Sequence, residues 1–133
     1  MQNQKKKIGN WGEDRAAEHI QGKGYKILHR NYRHKWGDEI DIITKDKKGT
    51  LVFVEVKTLW ESGIRNNELG NSEMDNLQPE DNLNFAKLRK LKRSCEFFAN
   101  AHPELVGDGG WRIDLVAVDV FEDKSDCRHY ENI

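Results

Sequence analysis

The sequence predicts a small α/β sandwich in which a mixed β-sheet is flanked by helices. The periodic segments follow one another in the order helix, three strands, helix, strand, which is typical of such a fold. The 133 residues are enough for one domain, which would bury about two-thirds of the surface of its unfolded chain. No repeat or linker divides the chain, so we expect a single domain over residues 1–133.

The first helix is expected from about Asn10 to Gln21, with Asn10 as its N-cap. Its apolar stripe is formed by Ala16, Ala17 and Ile20. Glu13 falls in the middle of that stripe, where a carboxylate is unusual. Two interpretations are open, and they are compatible: Glu13 closes a capping box with the backbone of Asn10, or it points toward a functional site.

A strand over Tyr25–Tyr32 is expected after the glycine-rich turn that ends this helix. A basic rim follows just before the next strand. Its residues are Arg30, Arg33, His34 and Lys35. The whole chain has a net charge of only −1, although 34% of its residues are charged. Any binding of nucleic acid must therefore come from local groups of cations such as this rim.

A β-hairpin follows, and the rest of the chain is organised around it. Two apolar runs flank a turn-rich tract; they are Ile40–Ile43 and Leu51–Lys57. The second run begins apolar on both faces, which predicts a central strand that is covered on both sides. One face then changes to Glu55 and Lys57, because alternate side chains of a strand share a face. The turn places Asp41 about opposite Val54-Glu55, so a second carboxylate is expected at the same point.

Two carboxylates at one point require compensation. At a separation of about 4 Å they repel by about 4 kcal/mol at an effective dielectric constant of about 20, and Lys57 offsets one charge only. Protonation of one carboxylate would relieve the repulsion, and so would a bound divalent cation. Oxygen ligands favour Mg²⁺ or Mn²⁺ over zinc. A salt-bridged Glu55–Lys57 pair at the edge of a sheet is the purely structural alternative, and the hairpin alone leaves both open.

A long polar tract from Leu59 to Asn82 has no sustained period and is interpreted as a flexible loop, disordered or acting as a lid. The second helix is expected from about Asn84 to Ala101, and a last strand over Trp111–Phe121. The apolar stripe of this helix comprises Leu88, Leu91, Cys95, Phe98 and Ala99. Its other faces carry cations that bind phosphates or are simply solvated: Lys87, Arg89, Lys90, Lys92 and Arg93.

The composition also excludes several classes of protein. The two cysteines, Cys95 and Cys127, are too few for a disulfide framework and lack zinc-binding spacing, and we expect Cys95 to be a core residue. The N-terminal residues lack the apolar segment of a secretory signal. No apolar run is long enough to span a membrane. We therefore expect a cytoplasmic protein with no membrane partner.

Taken in order, these motifs resemble the YraN family of bacterial predicted endonucleases, within the PD-(D/E)XK nuclease superfamily. The matching residues are Gly12-Glu13, Gly24-Tyr25, Arg30-Asn31-Tyr32-Arg33, Glu39-Ile40-Asp41, Val54-Glu55-Val56-Lys57, Lys87, Arg112-Ile113-Asp114 and His129-Tyr130-Glu131-Asn132. The resemblance covers nearly the whole chain outside the 59–82 loop. It implies a restriction-endonuclease-like sandwich with a mixed central sheet of about four to five strands in α-β-β-β-α-β order.

The resemblance further implies a Mg²⁺- or Mn²⁺-dependent deoxyribonuclease. Asp41 and Glu55 would hold the metal, and Glu13 would support the metal or a water bound to it. Lys57 would position or polarise the attacking water. The family is also similar to archaeal Holliday junction resolvases, which makes branched DNA the implied substrate. Resolving a junction takes two cuts, so a resolvase would be a two-fold homodimer.

Five cations are expected to hold the DNA backbone: Arg30, Arg33, Lys35, Lys87 and Lys90. One departure from the family pattern is an extra acid after Gly37, so Asp38 or Glu39 competes as a metal ligand. Two other functions remain as alternatives. The first is a catalytically silent nucleic-acid-binding protein with a nuclease-like fold, and the second is a structural protein in which the charges form an internal ion-pair network.

Overall fold

The computed structural model describes residues 4–35, 38–61, 85–122 and 124–133. Its elements are α1 (Gln4–Gly22), β1 (Lys26–Arg33), β2 (Glu39–Lys45), β3 (Leu51–Glu61), α2 (Phe85–Ala101), a short 3-10 helix (Pro103–Leu105), β4 (Trp111–Phe121) and β5 (Lys124–Tyr130). The predicted order of helix, three strands, helix and strand is confirmed, and β5 follows it as an additional strand. The bounds of β4 agree with those predicted from the sequence.

The five strands form one mixed sheet in the spatial order β1-β2-β3-β4-β5. Neighbouring strands are antiparallel except for β3 and β4, which are parallel. A parallel pair needs a crossover connection, and α2 belongs to the segment that joins β3 to β4. β3 thus lies at the centre of the sheet, as its two apolar faces predicted.

Among the described residues, one helix packs against each face of the sheet. On one face, Ala16, Ala17 and Ile20 of α1 pack against a cluster that includes Val52 and Val54. On the other face, Leu51 and Phe53 pack with α2 residues of the apolar stripe, namely Leu91, Cys95, Phe98 and Ala99. Alternate residues of β3 therefore enter opposite cores, as predicted, and Cys95 is the buried core residue that its position indicated.

The start of α1 differs from the prediction. The helix begins at Gln4 rather than at Asn10, so Asn10 lies inside it and is not an N-cap. The interpretation of Glu13 as the partner in a capping box is therefore wrong. Asparagine is favoured at a helix N-cap, but it is only mildly unfavourable inside a helix. An N-cap preference alone therefore does not fix where the helix begins.

Two strand boundaries also differ. β1 spans Lys26–Arg33 rather than Tyr25–Tyr32. β3 continues through 59–61, which the sequence analysis assigned to the loop, because these residues still pair in parallel with β4 at 119–121. The remainder of that predicted loop, 62–82, and the predicted helix start at Asn84 lie outside the described residues.

The C-terminal segment is attached to the sheet by a buried carboxylate. Asp114 of β4 is fully buried. It accepts hydrogen bonds from His129 Nε2 at 2.7 Å, from Arg112 Nε at 2.9 Å and from the backbone N–H of Asn132 at 3.0 Å. Burial alone would raise the pKa of Asp114, but these hydrogen bonds outweigh it and lower the pKa. An ionised Asp114 therefore ties β5 and the residues after it to β4.

Candidate active site

The candidate site lies where β2 and β3 part. The β2–β3 ladder runs from Lys45↔Leu51 to Ile42↔Val54 and ends there, while β3 continues beside β4. Past the end of the ladder, the backbone N–H of Val56 donates to Asp41 Oδ2 at 2.8 Å. The carboxylate of Asp41 thus replaces a backbone acceptor and enters the gap between the two strands. The expectation that Asp41 would come beside Glu55 is met by this register.

Asp41 and Glu55 form a carboxyl pair in which Glu55 is buried and Asp41 is half-buried. The two side chains lie close enough for each to influence the ionisation of the other. Burial raises the pKa of both groups, and the charge of Asp41 raises the pKa of Glu55 further. Glu55 has only 10% of its side chain exposed. Without a cation the pair therefore retains a proton near neutral pH, which is one of the two ways of relieving repulsion that the sequence allowed.

The cation beside Glu55 comes from α2 and not from β3. Lys87 Nζ lies 3.4 Å from Glu55 Oε1, so the interpretation of Glu55 and Lys57 as a salt bridge is wrong. Lys57 is half-buried and, within the part of the chain that the structure describes, has no ion pair. The sequence predicts Lys87 among the DNA-binding cations. Its spacing of four residues from the buried Leu91 is the pattern that could have placed it toward the sheet.

Glu13 approaches the pair from the face of the sheet that α1 covers, whereas Lys87 approaches from the face that α2 covers. Its side chain is 18% exposed. Burial raises the pKa of Glu13 to about 7, and the charge of Asp41 contributes next. The helix and two strands named in the sequence analysis thus bring Glu13, Asp41 and Glu55 into one electrostatically linked group.

Asn31 is a residue of this site that the sequence analysis missed. It has φ 55, a left-handed conformation in which asparagine is enriched, and it lies across the β1–β2 ladder from Asp41. With its amide oriented to satisfy its neighbours, Asn31 Nδ2 donates to Glu13 Oε1 at 2.8 Å and to Glu39 Oε1 at 2.9 Å. An asparagine in the middle of a strand is unusual, and that was the available indication.

Three of the five cations predicted to bind nucleic acid form ion pairs with acids at or near the site. Arg30 pairs with Asp14 at 2.9 Å and lies 3.9 Å from Glu13. Arg33 pairs with Glu39 at 3.3 Å, and the third is Lys87, described above. The two others, Lys35 and Lys90, are exposed. Their contact with DNA stays a prediction.

Glu39, one of the two competing ligands, lies near the carboxyl pair. Its charge contributes to the raised pKa of Asp41, after the larger effect of burial. However, its two oxygens are engaged by Asn31 and Arg33. These bonds hold Glu39 away from the carboxyl pair, which favours Asp41 and Glu55 as the two metal ligands.

The chemistry of the carboxyl pair fits a hard divalent cation. Among the described residues, no three histidine, cysteine or carboxylate side chains are gathered closely enough to enclose a metal. Asp41 and Glu55 nevertheless offer two adjacent carboxylates, and a cation could replace the proton that the pair retains near neutral pH. Mg²⁺ commonly binds through one or two carboxylates and keeps several waters. Glu13, farther out, would then act through such a water.

A mixed five-stranded sheet between two helices, with Asp41 beside a Glu-x-Lys motif at a strand divergence, defines a PD-(D/E)XK nuclease-like protein. The family model described as "Uncharacterised protein family UPF0102" matches residues 12–118. The chain belongs to this family, which is the YraN family, and the resemblance found in the sequence is confirmed.

Several relatives named "UPF0102 protein" are similar along most of their length. The protein from Caldicellulosiruptor saccharolyticus is 43% identical over 114 residues, covering 86% of this chain and 83% of the relative. The protein from Alkaliphilus oremlandii is 35% identical over 129 residues, covering 96% and 97%. The protein from Syntrophomonas wolfei is 32% identical over 127 residues, covering 96% of both chains.

None of the described helices is both long and apolar enough to cross a membrane.

Proposed function

We propose that this protein is a metal-dependent endonuclease that hydrolyses DNA phosphodiester bonds, with branched or junction DNA as its substrate class. The observation that carries the proposal is the Asp41–Glu55 carboxyl pair in the gap between β2 and β3, in which Glu55 is buried. A structural ion-pair network would not require two adjacent carboxyl groups in the sheet when aliphatic residues would pack there at lower cost. Membership of a nuclease-like family supports the same class.

In this proposal Asp41 and Glu55 hold Mg²⁺ or Mn²⁺, which would acidify a bound water and stabilise charge on the scissile phosphate. The backbone N–H of Val56 fixes the orientation of Asp41. Glu13, whose pKa is about 7, can accept a proton from the attacking water near neutral pH. Lys57 orients that water by donating a hydrogen bond. Asn31 holds the carboxylate of Glu13 in position.

The charges of the site explain why a cation is needed. Glu13, Asp41 and Glu55 carry three negative charges when all are ionised, and Lys57 and Lys87 carry two positive charges, which leaves one negative charge. Without a cation, the proton that the pair retains brings this sum to about zero, so the site does not attract a phosphate. One divalent cation in place of that proton gives the site a net positive charge, which attracts the DNA backbone. Arg30, Arg33, Lys35 and Lys90 would then hold neighbouring phosphates without reading the bases.

The test is a cleavage assay on single-stranded, duplex, flapped and four-way DNA, with Mg²⁺, Mn²⁺ or EDTA. The variants are Asp41→Asn, Glu55→Gln and Lys57→Ala, and the control is Asp126→Asn, which neutralises an exposed acid of β5. We expect each site variant to lose at least about 100-fold of the metal-dependent rate, as is typical when an electrostatic catalytic group is removed. The control should cleave like the wild type. Equal cleavage by all forms, or none by the wild type, would contradict the proposal.

A catalytically silent nucleic-acid-binding protein is the second candidate. It is favoured by the ion pair between Lys87 and Glu55, which compensates one carboxylate without a metal. This alternative predicts salt-sensitive binding to DNA, no metal-dependent product, and no effect of Mn²⁺ on the thermal stability of the wild type.

Two further proposals follow from the nuclease function. A junction resolvase must make two cuts, so we expect a two-fold homodimer on four-way DNA. We also propose that the protein acts in the cytoplasm of the bacterial cell.

A further inference from the structure

An aromatic pair is exposed on the α2 side of the sheet. The rings of His34 and Phe97 are stacked, with centroids 4.4 Å apart and an interplanar angle of 4°. Phe97 is 40% exposed, whereas the next residue, Phe98, is fully buried in the core. His34 follows β1, and Phe97 lies in the last turns of α2. The stack therefore lies at the surface, outside the buried cluster that α2 forms with the sheet.

Two separate paths along the structure place this stack at a similar distance from the carboxyl pair. Lys87, which contacts Glu55, and Phe97 are separated by about 15 Å of helix. Asn31, which lies opposite Asp41, and His34 are separated by at most about 10 Å of chain. One strand of B-form DNA advances about 3.4 Å along the helix axis for each phosphate, so the stack lies within a few nucleotides of the site.

The stack is bordered by cations. Lys90 and Arg93 lie on the same side of α2 as Phe97, at helical spacings of seven and four residues, and both are exposed. Arg33 and Lys35 flank His34 in the sequence. Aromatic rings that hold bases, combined with cations that hold phosphates, are the usual means of binding single-stranded nucleic acid. Bases within a duplex are already stacked on their neighbours and cannot use such a platform.

We propose that the His34–Phe97 stack binds an unpaired nucleotide of the substrate, with Lys90 and Arg93 holding the adjoining phosphates. This inference rests on the proposed nuclease function and specifies its substrate class: DNA in which a single-stranded segment adjoins the cleaved strand. The base packs against the exposed ring of the stack. The distance from the stack to Asp41 and Glu55 then determines how far the cleaved bond lies from the unpaired base.

Measuring DNA binding under conditions that prevent cleavage tests the role of the His34–Phe97 stack separately from catalysis. In a Glu55→Gln background and in EDTA, fluorescence anisotropy would give the affinity for a single-stranded oligonucleotide and for a blunt duplex. We compare Phe97→Leu, which keeps the apolar volume, with Phe97→Trp, which keeps an aromatic ring. Stacking of a single base changes affinity by about 5- to 100-fold. We expect that loss for Phe97→Leu on the single strand, a change of less than about twofold on the duplex, and near-parental affinity for Phe97→Trp.

A 2-aminopurine base in the single strand should be quenched by the parent protein and by Phe97→Trp, and not by Phe97→Leu. Unchanged single-strand affinity of Phe97→Leu, or an equal loss on single strand and duplex, would overturn the inference while leaving the nuclease proposal intact. Phe97-dependent binding by a protein that cleaves no DNA would support the platform and refute the nuclease. Absence of binding to the single strand in EDTA would overturn the inference but not the nuclease proposal, whose site attracts DNA only when its cation is bound.

Discussion

Three carboxyl groups of the candidate site hold protons more strongly than ordinary acids do. Burial is the largest cause of the raised pKa in Glu13, Asp41 and Glu55 alike, and the charge of Asp41 adds to it in Glu13 and Glu55. A group whose pKa is raised by folding binds more protons in the folded chain than in the unfolded chain at any pH between the two values. Stability then falls as pH rises through that interval. The site is therefore a source of instability at neutral pH, which a cation would remove.

Neutralising Glu13 should stabilise the fold at high pH. The pKa of Glu13 rises from 4.5 to about 7, so the cost of ionising it is absent below pH 4.5 and complete above pH 7. We expect Glu13→Gln to raise Tm at pH 8 by several degrees, corresponding to about 1–2 kcal/mol after solvent screening. At pH 4 the variant and the wild type should melt within about a degree of each other.

The matched control for this experiment is Glu18→Gln, since Glu18 is an exposed acid of the same helix. Its Tm difference from the wild type should be small and the same at both pH values. Differential scanning calorimetry from pH 4 to pH 8 measures both variants. A Tm difference for Glu13→Gln that does not change with pH would show that Glu13 is not buried against Asp41.

Asn31 is expected to position Glu13 for catalysis. Removing its amide in Asn31→Gly abolishes both hydrogen bonds but suits the left-handed backbone, whereas Asn31→Ala also strains it. We expect both variants to lose about tenfold in single-turnover cleavage with Mn²⁺, because Glu13 is no longer held. Urea unfolding should show a further loss of about 1 kcal/mol for Asn31→Ala alone. Wild-type cleavage by Asn31→Gly would exclude this role.

At the scale of the elements, a close contact between α1 and β3 delivers Glu13 to the site. A β-carbon at Gly12 would overlap the hydroxyl group of Thr58, so only glycine allows the helix to lie this close to the strand. Glu13 is the next residue along the helix. The Gly12-Glu13 pair, which the sequence presented as a family motif, thus combines a packing requirement with a functional side chain.

Gly12→Ala is therefore expected to move α1 away from the sheet. Overpacking of this kind costs about 1–3 kcal/mol, which should be measurable as a lower midpoint of urea unfolding. Cleavage should also fall, because Glu13 moves with the helix. Gly22→Ala at the end of the same helix is the control, since a β-carbon there meets nothing within 4 Å. Equal stability of the two variants would mean that the contact at Thr58 is not restrictive.

The elements that could be predicted are those whose apolar residues follow a regular pattern from one end of the element to the other. β4 and α2 have long apolar runs or stripes, and their bounds follow from them. β5 has a polar sequence, KSDCRHY, and its strand conformation depends on pairing with β4 and on the bonds from its end to Asp114. Because these are tertiary interactions, no local pattern revealed this strand.

At the scale of the whole molecule, the site also combines contacts that follow from local sequence patterns with contacts that depend on tertiary packing. Asp41 and Glu55 could be placed together because they belong to one hairpin whose register follows from its turn. Lys87 could not be assigned to Glu55, since that contact depends on where α2 crosses the sheet. Asn31 depends on a left-handed residue within a strand, which alternation does not predict. Local pairing was predictable, and contacts made across the layers of the sandwich were not.

The proposed activity depends on a divalent cation that replaces the proton retained by the Asp41–Glu55 pair. Isothermal titration calorimetry with Mn²⁺ at pH 7, in buffers of different ionisation enthalpy, measures both the binding and the protons released. We predict one site per chain, release of about one proton for each ion bound, and loss of the signal in Asp41→Asn and Glu55→Gln but not in Asp126→Asn. Binding without proton release, or equal binding by Asp41→Asn, would contradict the account.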